Sequence, residues 1–580
     1  MEIKLSRYFV PHRKEILATV GCVLVAVGIN LYLPFIMRQV IDGLSGKTLG
    51  QTELYELLGV YFVLGLISVV FSRLLRRIPL KLSHKVEYAL RKDVFEHLTQ
   101  LDQEYYRGER TGDLMTRMSS DINLIRDAIG QGLLQGIRTI TVLIFASAVM
   151  VLTNRSMALL VFSLYFPMMG IFFLILRKMR RQQKDLQEHV SEVSNFCQES
   201  FAGIRTIKGF ALEQRRNAQF EGLNDGLVKK NMRLQMSRQS LWPFMAFWFS
   251  LGMVAILNLG GRKVIDGSLT LGTLTQFIQY LLYMQWPLLA LSWSTSLIQR
   301  GKVSWVRIKE ILERRPTIEY RISNKEPSEA KRDSGIRFQV LDLAIQGRTF
   351  LKGIDLDIPQ GTTLGITGPT GSGKTLLVSL VARLMDPSKG AVSIGGTDLR
   401  DIPLADLRGM IGFAAQEPVL FSQTLEHNIG FGVENPDKDL IAWAAEVAHL
   451  RGDVEGFPEQ YQTLLGERGV TLSGGQRQRT AISRAIARRP AILILDDVLS
   501  AVDTQTEAAI MAKLHPVMAE RTTLFVSHRI STLRYADEIV VIEEGRITQR
   551  GTHEELIRQS GYYAELNALQ QLEEKLEEGV

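Results

Sequence analysis

The residues best equipped for chemistry stand together in Gly368-Pro369-Thr370-Gly371-Ser372-Gly373-Lys374-Thr375. Glycines at this spacing let successive backbone N–H groups curl toward phosphate oxygens, and the start of a following helix adds positive potential. The segment has the form G-x-x-x-x-G-K-[ST], in which the lysine reaches the β- and γ-phosphates and the last hydroxyl ligates Mg²⁺. Lys374 and Thr375 take those roles, with Gly368, Thr370, Gly371, Ser372 and Gly373 forming the cradle. An apolar strand, Leu364–Thr367, precedes the segment and a helical run, Leu376–Leu384, follows it, which is the context such a loop needs. A second candidate is the carboxylate of Asp496, at the end of the apolar run Ile492–Leu495. Alone it reads equally well as a capping aspartate on a buried strand. With the phosphate loop upstream it becomes a Mg²⁺ holder beside the nucleotide. ATP and Mg²⁺ are therefore the expected cofactors.

Between these two motifs lies Leu472-Ser473-Gly474-Gly475-Gln476. The phosphate loop, LSGGQ and the strand-borne Asp496, in this order, resemble the ATP-binding cassette (ABC) transporters. The resemblance implies that Ser473, Gly474, Gly475 and Gln476 offer N–H groups and a hydroxyl to the γ-phosphate of an ATP held by an opposing cassette. It implies further that Gln416, in GFAAQEPVLF, contacts Mg²⁺ and the attacking water, and that His528, in FVSHRIST, contacts the γ-phosphate. Ser500-Ala-Val-Asp503 resembles the D-loop, Gly466-Glu467-Arg468-Gly469 the exporter X-loop, and Arg110-Thr-Gly-Asp113-Leu a first cytoplasmic loop. The subgroup most similar is the multidrug-resistance-like half-transporters, which pair with a different half.

Two departures from that pattern matter. Where the family carries a catalytic glutamate after the strand, this sequence has Asp497. The carboxylate is shorter by one methylene, about 1.5 Å, and misplacement of that size can cost about 10²-fold in rate. The resemblance then implies a chain that binds ATP but hydrolyses it poorly at its own site, paired with a different half-transporter that carries the glutamate. A homodimeric exporter, or an ATP-gated channel or regulator on the same fold, are the alternatives. The second departure is the adenine-stacking aromatic, which is missing near Ile345; Phe338 and Phe350 are the available substitutes.

These residues need elements to hold them. Before residue 300 there are six apolar stretches, Ile16–Ile36, Leu57–Leu75, Gly132–Leu152, Met157–Leu176, Leu241–Leu259 and Leu271–Leu291. Each approximates the ~30 Å hydrocarbon thickness at about 1.5 Å per residue. This excludes a purely soluble enzyme. The composition, 46% hydrophobic and 22% charged, also excludes disordered and collagen-like chains. The start of the chain is basic and is read as a retained first span rather than a signal peptide. Long polar connections, helical over Val86–Leu101 and Gln182–Glu199, separate spans two from three and four from five. The first carries Arg76, Arg77, Lys81, Lys85, Arg91, Lys92, Arg107, Arg110, Arg117 and Arg126, whereas the short loops hold Lys47, Arg155, Arg262 and Lys263. Positive residues stay inside, so both connections and both termini are expected in the cytoplasm, with the chain in the inner membrane.

The fold class expected is thus an all-α six-span membrane domain of the exporter type, residues 1–312, fused through a linker, 313–335, to an α/β P-loop ATPase, 336–565, with a solvated charged helix and tail at 566–580. The net charge of +7 comes without a compact basic patch, so nucleic acid is not an expected partner. Cys22 and Cys197 are read as inert thiols. The spans hold almost no ionisable residues, with Arg138 standing out. Gln276, Gln279, Tyr283 and Trp286 share one helix face, which Asn30, Tyr32, Trp242, Phe244, Phe247 and Trp248 could join. Such a surface suits hydrophobic drugs, lipids or peptides; helix–helix packing explains the same residues at least as well.

Overall fold

The structure is a computed structural model and describes residues 4–318, 334–466, 469 and 471–578. Most of the expected linker, and Glu467 and Arg468 of the X-loop segment, lie outside the described residues. The chain forms two compact units, one made of Met1–Thr99 with Thr111–Arg314, the other of Gln100–Arg110 with Arg315–Val580.

The first unit is helical. Five helices are long and apolar enough to cross a membrane among the described residues, and five of the six apolar stretches lie in them. Three of these helices are α1 (Arg13–Ser45), α2 (Gln51–Gln100) and, after the short α3 (Gln103–Gly108) of the second unit, α4 (Thr111–Thr153). Next come α5 (Arg155–Ala202), the short α6 (Ile204–Gly209) and α7 (Glu213–Ile265). The polar connections are not separate loops but continue the spanning helices, so α2 and α5 run for 50 and 48 residues. The tight turn between α4 and α5 forms at Asn154, whose side chain accepts from the Met157 backbone N–H at 3.1 Å.

The sixth apolar stretch is interrupted by a single turn residue, as α7 is at Ser240. It is divided at Met284 into α8 (Leu271–Tyr283) and α9 (Gln285–Glu313). Pro287 is the physical reason, because it has no N–H to donate to the Tyr283 carbonyl and its ring crowds that carbonyl. Side chains meet carbonyls around the break, with the Tyr165 hydroxyl donating to Met284 O at 3.3 Å and Thr139 to Pro287 O at 3.4 Å. The start of α8 is tied to the end of α1 through Asp42, which accepts from the Gly272 N–H at 2.7 Å and the Thr270 hydroxyl at 2.8 Å. A Cβ at Gly272 would lie 2.3 Å from Arg38 O, so only glycine permits this approach. Arg73, near the end of the second apolar stretch, is a further ionisable residue besides Arg138.

In the second unit, β1 (Ile336–Ile345), β2 (Arg348–Ile358), β4 (Lys389–Ile394) and β5 (Thr397–Asp398) form an antiparallel sheet in the order β2-β1-β4-β5. The larger sheet contains β3 (Thr363–Thr367), β6 (Ile411–Ala414), β7 (Ile492–Asp496), β8 (Thr522–Val526), β9 (Glu538–Glu543) and β10 (Arg546–Gly551). Its order is β10-β9-β3-β8-β7-β6, and it is parallel except for β10. Every residue of β3, β7 and β8 is buried, as expected for central strands covered on both faces. One apolar core gathers Leu377, Val381 and Ile494, the other Ile482, Leu493 and Leu514. The sheet thereby delivers the ends of β3, β7 and β8 to one edge. The short segment carrying α3 is held to this unit through Asp102, which caps α3 and accepts from the Thr317 N–H at 2.8 Å.

Candidate functional site: a phosphate-binding pocket

The phosphate loop leaves the end of β3 and enters α10 (Lys374–Val381). Three of its glycines take left-handed backbone, Gly368 at φ 141°, Gly371 at 81° and Gly373 at 106°. Gly368 is also constrained in space, since a Cβ there would lie 2.0 Å from Ile542 O on β9. Lys374 is buried and donates to Gly368 O at 2.9 Å and Pro369 O at 2.8 Å, inside the curl of the loop. Ser372 Oγ is buried without a hydrogen-bond partner in the same loop.

Around this loop is a cavity of 260 Å³ lined by Phe350, Thr370, Gly371, Gly373, Lys374, Thr375, Leu376, Gln416, Asp496, Asp497, Val526 and His528. Residues as far apart in the chain as Phe350 and His528 are thus brought together at the strand ends. Thr375 Oγ1 donates to Asp496 Oδ1 at 3.1 Å, so two hard oxygen donors sit side by side. Gln416 Nε2 donates to Asp497 Oδ2 at 3.2 Å. Asp497 takes a left-handed backbone, φ 49°, and its N–H is anchored to Val526 O at 3.0 Å.

The electrostatics follow from burial. Burial pushes the Asp496 carboxyl up to about 6; Thr375 opposes the rise by hydrogen bonding, the Asp497 charge adds to it, and Lys374 counters it. Burial pulls Lys374 below the ordinary lysine value, against the attraction of Asp497 and Asp496. His528 is likewise lowered, by burial first and by Lys374 second, with Asp497 opposing. The imidazole is therefore mostly neutral near pH 7 and able both to donate and to accept. A lysine among two carboxylates, with an imidazole and an amide facing it, is an arrangement that can grip a triphosphate and orient a water.

The remaining sequence candidates lie elsewhere. Ser473 caps α11 (Gly474–Ala487) in a reciprocal box with Gln476, and none of Ser473, Gly474, Gly475 and Gln476 lines the pocket. Asp503 does not line it either; its carboxylate caps α12 (Thr504–Ala519) by accepting from the Thr506 N–H at 2.9 Å. The two segments are joined by Gln478, which donates to Ser500 Oγ and accepts from the Ala501 N–H, each at 3.0 Å. Of the two aromatic substitutes, Phe338 is fully buried in the core and Phe350 lines the pocket, with the Arg348 guanidinium 5.3 Å from its ring centre.

Comparison with known proteins decides the family. The ABC transporter transmembrane region family matches residues 16–288 and the ABC transporter family matches residues 351–500. The chain is 33% identical to the multidrug resistance-like ATP-binding protein MdlA of Escherichia coli (strain K12), across 99% of this chain and 97% of that protein. The chain belongs to the ABC transporters. It is also 32% identical to the ATP-dependent lipid A-core flippase of Desulfotalea psychrophila, over 89% of each chain. A bacterial Atm1-family ABC exporter with ATP bound shares the fold, with a TM-score of 0.78 at 24% identity, covering 96% of this chain and 98% of that one. This ABC transporter is thus an ATPase whose hydrolysis is coupled to transport, with an exporter-like helical membrane part fused to an ATP-binding domain.

One contact with the His528 loop lies outside any sequence motif. The charge of the terminal helix α13 (Tyr562–Glu578) predicts a solvated element, yet Tyr563 is fully buried and Leu566 packs on the core. Its Gln570 amide donates to His528 O at 2.6 Å and accepts from the Ile530 N–H at 2.8 Å, clamping the backbone of the histidine loop from both sides. The i, i+3, i+7 pattern of Tyr563, Leu566 and Gln570 is the signal that marks this face. Gln570→Leu removes both bonds and is expected to lower ATP turnover several-fold, about 1 kcal/mol, while nucleotide affinity, read by a fluorescent ATP analogue, stays near wild type. Equal losses in both would instead mark α13 as a purely structural prop.

In the membrane unit, Gln279, Tyr283, Trp286 and Asn30 do line a common cavity of 780 Å³. Gln276 does not join them. It is buried and donates to the Tyr280 hydroxyl, which itself donates to Leu31 O, each at 2.9 Å. Tyr32 stacks on Phe35, Phe244 and Trp248 pack on each other, and Phe247 on Trp248. Trp242 reaches the cavity only through its edge contact with Trp286.

Proposed function

We propose that this transporter exports amphipathic, largely apolar compounds across the inner membrane, as one half of a heterodimer whose slow ATP site is its own. The observation that carries the pairing is Asp497. It stands on the pocket wall where the family places a glutamate, and the strand end that bears it is pinned by the Val526 carbonyl. A backbone anchored this way cannot advance to make good a missing methylene, so a water between Asp497 and the γ-phosphate is held at a poorer distance.

Within the site, Lys374 and the loop N–H groups bind the phosphates, and Phe350 offers a face to the base. The Thr375 hydroxyl and Asp496 carboxylate are a donor set that fits Mg²⁺, which favours one or two carboxylates plus phosphate oxygens. Bound there, the ion would neutralise charge on the β- and γ-oxygens. Gln416 and Asp497 orient water, and His528 donates a hydrogen bond toward the γ-phosphate. The capped start of α11, which does not line this pocket, can complete a nucleotide site on a second chain through Ser473, Gly474, Gly475 and Gln476, with Asp503 alongside. The basic long connections support a cytoplasmic ATPase and cytoplasmic termini. The relatives' names, one a multidrug resistance-like protein and one a lipid A-core flippase, support an amphipathic cargo.

Phosphate release by the lone chain in liposomes tests the pairing. Slow release, accelerated at least tenfold by a second half-transporter bearing the glutamate, is the expected result; brisk release by the lone polypeptide would overturn it. Export is read separately, as ATP-driven uptake of Nile red into inverted vesicles that is lost in Lys374→Ala.

A further inference from the structure

The membrane cavity contains a charge that no carboxylate among its described lining residues balances. Arg138 lies on α4 and lines the cavity of 780 Å³ together with Gln135, Asn30, Gln279, Tyr283 and Trp286. Among the described residues, no aspartate or glutamate lines it. The Tyr283 hydroxyl is buried, with the Arg138 guanidinium beside it. A guanidinium with no carboxylate in its cavity, about 9 Å along the helix from the start of the apolar stretch, is costly in a bilayer, which makes it a functional group by default.

We propose that this cavity selects amphipathic substrates that carry an anionic group, a carboxylate, sulfonate or phosphate, bound by Arg138. The inference rests on the exporter reading and names the charge class of its cargo. The guanidinium fork meets two oxygens of such a head at once, and in a surrounding poor in water that pairing is strong. The Tyr283 hydroxyl beside it supplies a further donor for the same head. Trp286 and the apolar wall accept the body of the molecule, and the volume falls in the range of drug-sized ligand sites, about 300–1,000 Å³. A lipophilic cation would gain no partner here and would meet the repulsion of Arg138.

The test uses two nearly isosteric hydrophobic ions, tetraphenylborate and tetraphenylphosphonium, titrated into the full chain in nanodiscs. Binding is followed by quenching of tryptophan fluorescence, with Trp286→Phe identifying the signal from the cavity. Arg138→Gln is expected to weaken tetraphenylborate binding by about tenfold or more, the scale of one charge–charge attraction away from bulk water, and to leave tetraphenylphosphonium no weaker. Arg138→Lys should recover much of the loss, which a packing role would not allow. Displacement of the borate by a short-chain phosphatidic acid would assign the site to lipid headgroups; a retained borate preference without displacement would assign it to free organic anions. Unchanged borate affinity in Arg138→Gln, or an equal loss for both ions, would overturn the proposal. Nile red uptake is independent of this outcome, so the charge class can fail while export stands.

Discussion

Asp497→Glu is expected to raise ATP turnover, by up to about 10²-fold if the missing methylene alone sets the rate. The geometry gives this result its sign. Asp497 follows the last residue of β7, its N–H is fixed to Val526 O, and its carboxylate already faces the pocket through Gln416. A longer side chain from the same Cα carries the carboxylate about 1.5 Å farther toward the phosphates, where a general base must lie within about 3 Å of the water. The left-handed backbone at φ 49° suits aspartate somewhat better than glutamate, so a stability loss of under about 1 kcal/mol accompanies the gain. Steady-state phosphate release, with thermal unfolding as a control, reads both effects. Turnover that stays flat or falls would show that the aspartate already works through a repositioned water, and would remove the reason for a glutamate-bearing partner.

The second large effect is expected at Gly368, where the obstacle is steric. A methyl group there meets Ile542 O at 2.0 Å, and that oxygen belongs to a paired strand of the central sheet rather than to a mobile side chain. The left-handed φ of 141° adds strain for any residue with a Cβ. Gly368→Ala should therefore cost about 3 kcal/mol, near 10 °C in the melting temperature of a domain this size. Because the loop shifts first, loss of ATP analogue binding should exceed what unfolding explains at 25 °C. Gly371→Ala, with open space around its Cβ but φ 81°, should lose only the strain portion. A mild phenotype at Gly368 equal to that at Gly371 would disprove the steric account.

Much of the site is legible in the order of the residues, and the reason is local. A phosphate loop is a short run of consecutive residues, and backbone N–H groups curl wherever glycines allow it, so Gly368 to Thr375 announce their chemistry directly. The buried strands β3, β7 and β8 are equally plain as β-branched apolar runs, and Asn154 as a turn. Apolar length likewise reveals the spans, because the bilayer imposes it. The family resemblance then carries Gln416 and His528, which line the pocket, and Asp503, which caps a helix outside it.

The rest depends on which distant segments meet. Pro287 is visible in the sequence, but that a turn forms at Met284, with Tyr165 and Thr139 donating to buried carbonyls beside it, is decided by packing. Gln276 and Gln279 are three residues apart on one helix face, yet one turns to Tyr280 in the interior and the other to the cavity, since a face is wide enough to border two environments. Phe338 and Phe350 are equal candidates for the base until burial removes the first. Gln570 reaches the histidine loop across 42 positions of sequence, and Arg138 acquires its significance only because no carboxylate among the described residues lines its cavity. Residue type and spacing determine local chemistry because backbone and solvent act over a few residues; partnership and burial are settled only when the whole chain has chosen its neighbours.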